Sequence, residues 1–279
     1  MTGPPPYFQI TRRGGREVAT PLESAASGWS AASVRGPAVS GVLARAAEHV
    51  QLECGRDDLR PVRWTVDLSA PTAMRAHVVR ARVLQQSTRL LLVSADLECD
   101  HRTTAHARAL FLKPTVNPGN DIWGRNRAWE LPPAGLEPAA DQPSLFASDG
   151  SGWSADRADV QDGTRKRAWH EPLPIVEGES ISRFQAVASI ADLASLVSHW
   201  GARGIAHINA DITVAIARLP TTLALGLVAE ERVEHDGIAI GTATMHDGQG
   251  TIGTVVTSAL ANAARTIDLQ ARTRLGEPR

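Results

Sequence analysis

The chain is poor in the residues that build several familiar sites. Its 279 residues include only two cysteines, Cys54 and Cys99, and they form no C-x-x-C pair. That argues against a disulfide framework and for a reducing compartment. Lysine stands only at 113 and 166, so nearly all of the 29 basic residues are arginine. Together with abundant alanine, this looks like the coding bias of a GC-rich genome. The 30 acidic residues bring the formal net charge to −1, so no broad pull toward nucleic acid or an anionic membrane is expected. No run of about 18 apolar residues occurs, so no membrane span is expected. The opening Met-Thr-Gly-Pro-Pro-Pro has neither the basic region nor the apolar stretch of a signal peptide, and a cytoplasmic protein is the expectation. There is no G-x-S-x-G elbow for a serine nucleophile. His199 and His207 have no cysteine partners and no H-E-x-x-H spacing, so they read as a capped helix end and no metal is expected.

Apolar residues make up 43% of the chain, and the length allows one or two domains with a sizeable core. Residues 36–50 have a helical pattern, with Val39, Val42, Leu43, Ala46, Ala47 and Val50 on one face and Pro37 in the first turn. Short Val- and Leu-rich runs follow at 62–68, 76–85, 89–98 and 105–112, separated by turn residues. Residues 114–165 lose periodicity and read as a linker or long loop, with Trp123, Trp129 and Trp153 packed on something. The first pattern then returns. A strand is expected within 168–175 and a helix over 182–200, apolar nearly all round as when a sheet wraps it. Strands are expected at 206–217, 225–234, 237–245 and 250–259, and a short helical extension with a frayed tail over 260–279. Ala239, Gly241 and Ala243 share a strand face on which a helix can approach closely.

Gly248–Gly253 is formally G-x-G-x-x-G, but it joins two strand-like runs and opens no helix, which argues against a dinucleotide fingerprint. The basic run 165–167 reads as a solvated face, or as a contact for an anionic phosphate. The repeat also places 63–68 (Arg-Trp-Thr-Val-Asp-Leu) against 207–212 (His-Ile-Asn-Ala-Asp-Ile), so that Asp67 and Asp211 match.

Helix then strands, twice over, is an α+β pattern. Its blocks are Arg-Gly-Pro-Ala-Val-Ser-Gly-Val-Leu-Ala-Arg-Ala at 35–46 and Thr-Val-Asp-Leu-Ser-Ala-Pro at 65–71. In the second copy they are Pro-Leu-Pro-Ile-Val-Glu-Gly-Glu at 172–179, Ala-Ser-Ile-Ala-Asp-Leu at 188–193, His-Ile-Asn-Ala-Asp-Ile-Thr-Val at 207–214 and Gly-Ile-Ala-Ile-Gly-Thr-Ala-Thr-Met-His-Asp at 237–247. These blocks resemble the acyl-CoA thioesterase II-like (TesB-like) family. The resemblance implies a double hotdog, two antiparallel sheets each wrapping a long central helix. The units would be 1–113 and 166–279, joined by the linker.

It also implies hydrolysis of a fatty acyl-CoA by an activated water, with no metal and no organic cofactor, and a homodimer of the whole chain. In the resemblance, an Asp on the strand after the second helix is the base and falls at Asp211. The family's Gln position falls at Thr257. Its Thr position falls near Glu230–Arg232, where no hydroxyl stands. A helix N-terminus polarises the thioester carbonyl, and Gly36 and the turn at 180–183, with Arg183, are the two candidate starts. Asp192 lies on the second helix, where it can face the groove and touch substrate. Asp67 reads as structural. The other readings are an acyl-thioester binder without turnover, and a hotdog hydratase or dehydratase.

Overall fold

Glycine pairs, prolines and alternating apolar residues divide the chain into elements that repeat once. The computed structural model describes residues 4–119, 122–124, 127–138 and 142–270. Strands β1 (Phe8–Arg13) and β2 (Arg16–Pro21) form a hairpin over Gly14 and Gly15, both at positive φ. Helix α1 (Gly36–Glu53) follows, then β3 (Arg60–Asp67), β4 (His77–Gln86), β5 (Leu90–Cys99) and β6 (Arg102–Leu112). The second half runs β7 (Ser144–Ser148), β8 (Lys166–His170), α2 (Arg183–Ala191) and α3 (Leu193–His199). It continues through the short strands β9 (Trp200–Gly201), β10 (Gly204–Ile205) and β11 (His207–Asn209). It closes with β12 (Asp211–Ile216), β13 (Leu225–His235), β14 (Ile238–His246) and β15 (Thr251–Ala261).

The expected two sheets are one. The order β1-β2-β4-β5-β6-β3-β12-β15-β14-β13-β8-β7 reads the same outward from its middle, where β3 pairs antiparallel with β12. Thr65 lies opposite Thr213 at that junction. The shift that carries Thr65 onto Thr213 also carries the pair Leu92/Leu110 onto Ile240/Ser258, and Ala81/Ala95 onto Ala229/Ala243. The duplication therefore runs through the inner ladders, from β4 to β6 and from β12 to β15, whereas the outer strands β1, β2, β7 and β8 pair in registers of their own.

This shift corrects one detail of the repeat. Asp67 and Asp211 are not equivalent: the ladder puts Ala215 at the place of Asp67 and Arg63 at that of Asp211. The two aspartates face each other across the junction instead. The letter match was out of phase by an even number of residues, which preserves in–out alternation and hides the error.

Helix α1 is buried all round from Pro37 to Ala47, because the sheet covers one side and α2 crosses the other. Ser40 sits at that crossing. Its Oγ donates to Ala188 O (2.6 Å) and accepts from the Trp64 indole N–H (2.9 Å). Arg45, also on α1, is held by Glu179 and Glu17. A buried charge of this kind persists only because both carboxylates reach it. The small face of β14 meets α3, and a Cβ on Gly241 would strike Ser198 and His199.

Three further expectations are revised. The second helix breaks at Asp192 into α2 and α3. The segment read as a linker contains β7, whose Leu145, Phe146 and Ala147 are buried beside β8. In the same segment Trp129 stacks on His246 at 4.6 Å, with the Arg127 guanidinium over its ring, whereas Trp123 is 90% exposed. The basic run is not a solvated face throughout: Lys166 is fully buried, its ammonium held by Asp162 and by Thr164 O. The expected tail beyond residue 270 lies outside the described residues. Among the described residues no helix is long and apolar enough to cross a membrane.

Candidate active site

The break between α2 and α3 falls on a carboxylate. Asp192 keeps helical backbone angles, and its carbonyl accepts the Ser195 N–H at 3.2 Å. Its side chain lies against Gly36, the first residue of α1, so closely that a Cβ there would collide with the carboxylate. Pro37 follows and has no N–H, and the Gly36 N–H meets no acceptor among the described residues. The positive end of α1 and a carboxylate thus share one small space. Asn209, on β11, donates from Nδ2 to Asp192 Oδ1 at 2.9 Å.

Electrostatics sharpen the site. Burial pushes the Asp192 pKa up to about 6, against the opposing pull of the Asn209 hydrogen bond and the Arg35 guanidinium. The residue as a whole is only half-buried, which leaves a route for water. Arg35 precedes α1 and is anchored through Nε to Ala26 O at 2.8 Å. The Tyr7 phenol, pushed up to about 12 by burial, sits beside the same guanidinium. His170 is buried 2.5 Å from Ser144 Oγ, and burial aided by Arg157 and Arg35 pulls its pKa down to about 3, so it is neutral.

The duplication supplies a comparison within the chain. The shift that relates the halves puts Phe184 at the place of Gly36 and Ala44 at that of Asp192. Phe184 is fully buried, with edge contacts to Trp64 at 5.5 Å and Phe111 at 5.7 Å. One crossing of the helices holds a carboxylate at a helix start, and the other is filled with an aromatic ring.

The remaining sequence candidates lie elsewhere. Asp211 opens β12 and accepts the Ser258 backbone N–H at 2.5 Å, which ties the central strands together. Thr257 is fully buried on the opposite face of β15 from Ser258, and its hydroxyl is 3.4 Å from His199 Nε2. Arg183 is exposed at the start of α2, more than two helical turns before Asp192. Glu230 is bonded to Arg127 and Thr244. The structure therefore brings Gly36 and Asp192 together, while Asp211, Thr257 and Arg183 make no hydrogen bond or ion pair to either among the described residues. Sequence reading gave no role to Asn209 or Arg35, although both lie within the blocks at 207–214 and 35–46. Among the described residues no group of three His, Cys, Asp or Glu could hold a metal ion.

A family model for the acyl-CoA thioesterase C-terminal domain matches residues 115–260. Solved structures extend the likeness to about nine-tenths of the chain. A tesB protein of Mycobacterium avium subspecies paratuberculosis superposes with a TM-score of 0.66 at 15% identity, over 90% of this chain and 95% of that one. The acyl-CoA thioesterase II TesB2 of Mycobacterium marinum gives 0.62 at 12% identity, over 91% and 95%. A conserved Alicyclobacillus acidocaldarius protein with a hot dog fold gives 0.63 at 17%, over 90% and 94%. No curated protein matches at the sequence level. The architecture is that of the hotdog-fold thioesterases. Within that class, the chain belongs to the TesB-like acyl-CoA thioesterase family.

Proposed function

We propose that the protein hydrolyses acyl-CoA thioesters, and that Asp192 is the general base. The observation that carries this reading is the contact of the Asp192 carboxylate with the unpaired N–H end of α1. A thioester carbonyl placed there accepts the Gly36 N–H. Asn209 occupies one carboxylate oxygen and leaves the other for a water. Asp192 takes the water's proton as its oxygen attacks the carbonyl carbon. The tetrahedral oxyanion gains from the Gly36 N–H and the helix dipole. Collapse breaks the carbon–sulfur bond and releases CoA, whose sulfur is reprotonated from Asp192, and the free acid.

A base is most useful when its pKa lies near the working pH, and burial brings Asp192 toward that range. Asp211, by contrast, is engaged by a backbone N–H in the middle of the sheet. The scheme assigns no step to a metal or organic cofactor. The test is release of CoA from a panel of acyl-CoAs, read with a thiol reagent. Release from at least one chain length is expected. No release from any would sink the enzyme reading, and calorimetric binding of the same panel would then separate a silent acyl-thioester binder from a protein that ignores CoA.

A further inference from the structure

Among the described residues, Asp192 has one charged neighbour. Around its carboxylate stand Gly36 and Arg35 at the start of α1, Asn209 on β11, and Tyr7 from the segment before β1. Arg35 alone of these carries a charge: a guanidinium stays protonated, and the buried Tyr7 phenol stays neutral. Arg35 is partly exposed, donates through Nε to Ala26 O at 2.8 Å, and forms no ion pair among the described residues. Its charge acts on Asp192 through space, without a hydrogen bond between them. The cation is thus close to the base without being consumed by it.

Tyr7 is the one tyrosine of the chain, and it is buried. Its backbone is fixed on both sides: the N–H donates to Pro174 O at 2.9 Å, and the carbonyl accepts the Leu22 N–H at 2.8 Å. Its hydroxyl lies against the Arg35 guanidinium and Ser189. Ser189 precedes Asp192 by three residues and shares its face of α2. The other helix crossing shows what these positions hold without a carboxylate. The segments carrying Tyr7 and Ile175 run side by side, with Phe8 and Val176 bridged in parallel one residue on from each. Ile175 rests on Gly41 as Tyr7 rests on Ser189, and the shift that relates the halves carries Gly41 onto Ser189. The same shift puts Ala44 at the place of Asp192, and at that of Arg35 it puts Arg183, which is exposed. The phenol and the anchored guanidinium therefore stand only at the crossing that has the carboxylate.

We propose that Arg35 is the counter-ion of the reaction, and that Tyr7 is the positioning residue that holds its guanidinium toward Asp192. The proposal rests on the thioesterase reading for the reaction it serves. Before attack, Arg35 balances the Asp192 anion. As Asp192 takes the water's proton, the negative charge passes to the thioester oxygen at the Gly36 N–H, and the total charge is unchanged. A fixed cation stabilises that oxyanion without having to reorganise. The experiment compares acyl-CoA hydrolysis against pH by the parent, Arg35→Gln, Arg35→Lys and Tyr7→Phe, each checked for folding by circular dichroism. Arg35→Gln should lose about a hundred-fold in kcat while KM stays within a few-fold. Its acid limb should move up by about one pH unit, because a lost cation makes the Asp192 anion harder to form. Arg35→Lys keeps the charge and should restore most of the limb. Tyr7→Phe should shift both in the same directions by less, with about ten-fold lost in kcat. An unmoved limb in Arg35→Gln, or a limb that moves as far in Arg35→Lys, overturns the counter-ion. Parent behaviour in Tyr7→Phe overturns the positioning role. The carbon-13 carboxyl resonance of Asp192, identified by its loss in Asp192→Asn, reports the same pairing with no substrate present. A higher pKa in Arg35→Gln, from a protein that hydrolyses nothing, sinks the thioesterase and upholds the pairing. The same pKa in parent and variant overturns the pairing whatever the activity.

Discussion

At the scale of residues, the account rests on one carboxylate with a raised pKa. Asp192 moves from 3.8 in the open chain to about 6 in the fold. As a base it must be ionised, so kcat/KM should climb with pH and level off above an apparent pKa near 6. The stability effect has the opposite sign. The folded state holds this proton more tightly, so stability falls as pH rises from about 4 through 6, by about 3 kcal/mol or less. Asp192→Asn should remove that slope, and urea unfolding at pH 8 should show the variant no less stable than the parent. A clear loss of stability at pH 8 would mean the carboxylate is structural. Asn209→Ala removes a bond that favours the anion, so it should move the acid limb of the pH profile upward; an unmoved limb would refute its place beside the base. Gly36→Ala places a methyl on the carboxylate and should cost about a hundred-fold in kcat/KM with the fold intact by circular dichroism. Sequence reading named Gly36 and Asp192 as substrate contacts and Asp211 as the base, and the proposed scheme gives that role to Asp192. The legible signal was a lone charge within the apolar run Ala-Ser-Ile-Ala-Asp-Leu. Nothing in one dimension says that this run crosses the start of the other helix.

At the scale of elements, α1 and most strands were legible, because apolar periodicity and turn residues mark them directly. Strand β7 was not: its five residues sit between Pro143 and Asp149-Gly150 in a stretch rich in loop residues, and only pairing with β8 makes them a strand. The break at Asp192 was equally hidden, since Ala and Leu on either side favour an unbroken helix. Phe184 shows what the filled crossing contributes. Its ring plugs the space between Trp64 and Phe111, so Phe184→Ala should cost about 3–5 kcal/mol in denaturant unfolding. A cost under about 1 kcal/mol would mean that the crossing collapses around the gap. Activity should follow stability in that variant, because the ring is at the crossing that lacks the carboxylate.

At the scale of the whole molecule, two halves share one sheet through β3 and β12 and one core through α1 and α2. That union was not legible, because the sequence shows two units and says nothing of which edges they share. Unfolding should therefore be a single calorimetric transition, and two separated transitions would show that the halves fold independently. The duplication is symmetric in its inner ladders and asymmetric in its chemistry: one helix crossing holds Gly36 and Asp192, the other Phe184 and Ala44. The central claim is that hydrolysis uses the first crossing and not the strand junction. The direct measurement is acyl-CoA hydrolysis by Asp192→Asn beside Asp211→Asn, each checked for folding. The account predicts that Asp192→Asn loses about a thousand-fold or more in kcat while Asp211→Asn stays within a few-fold of the parent. Full activity in Asp192→Asn, or loss confined to Asp211→Asn, would contradict it.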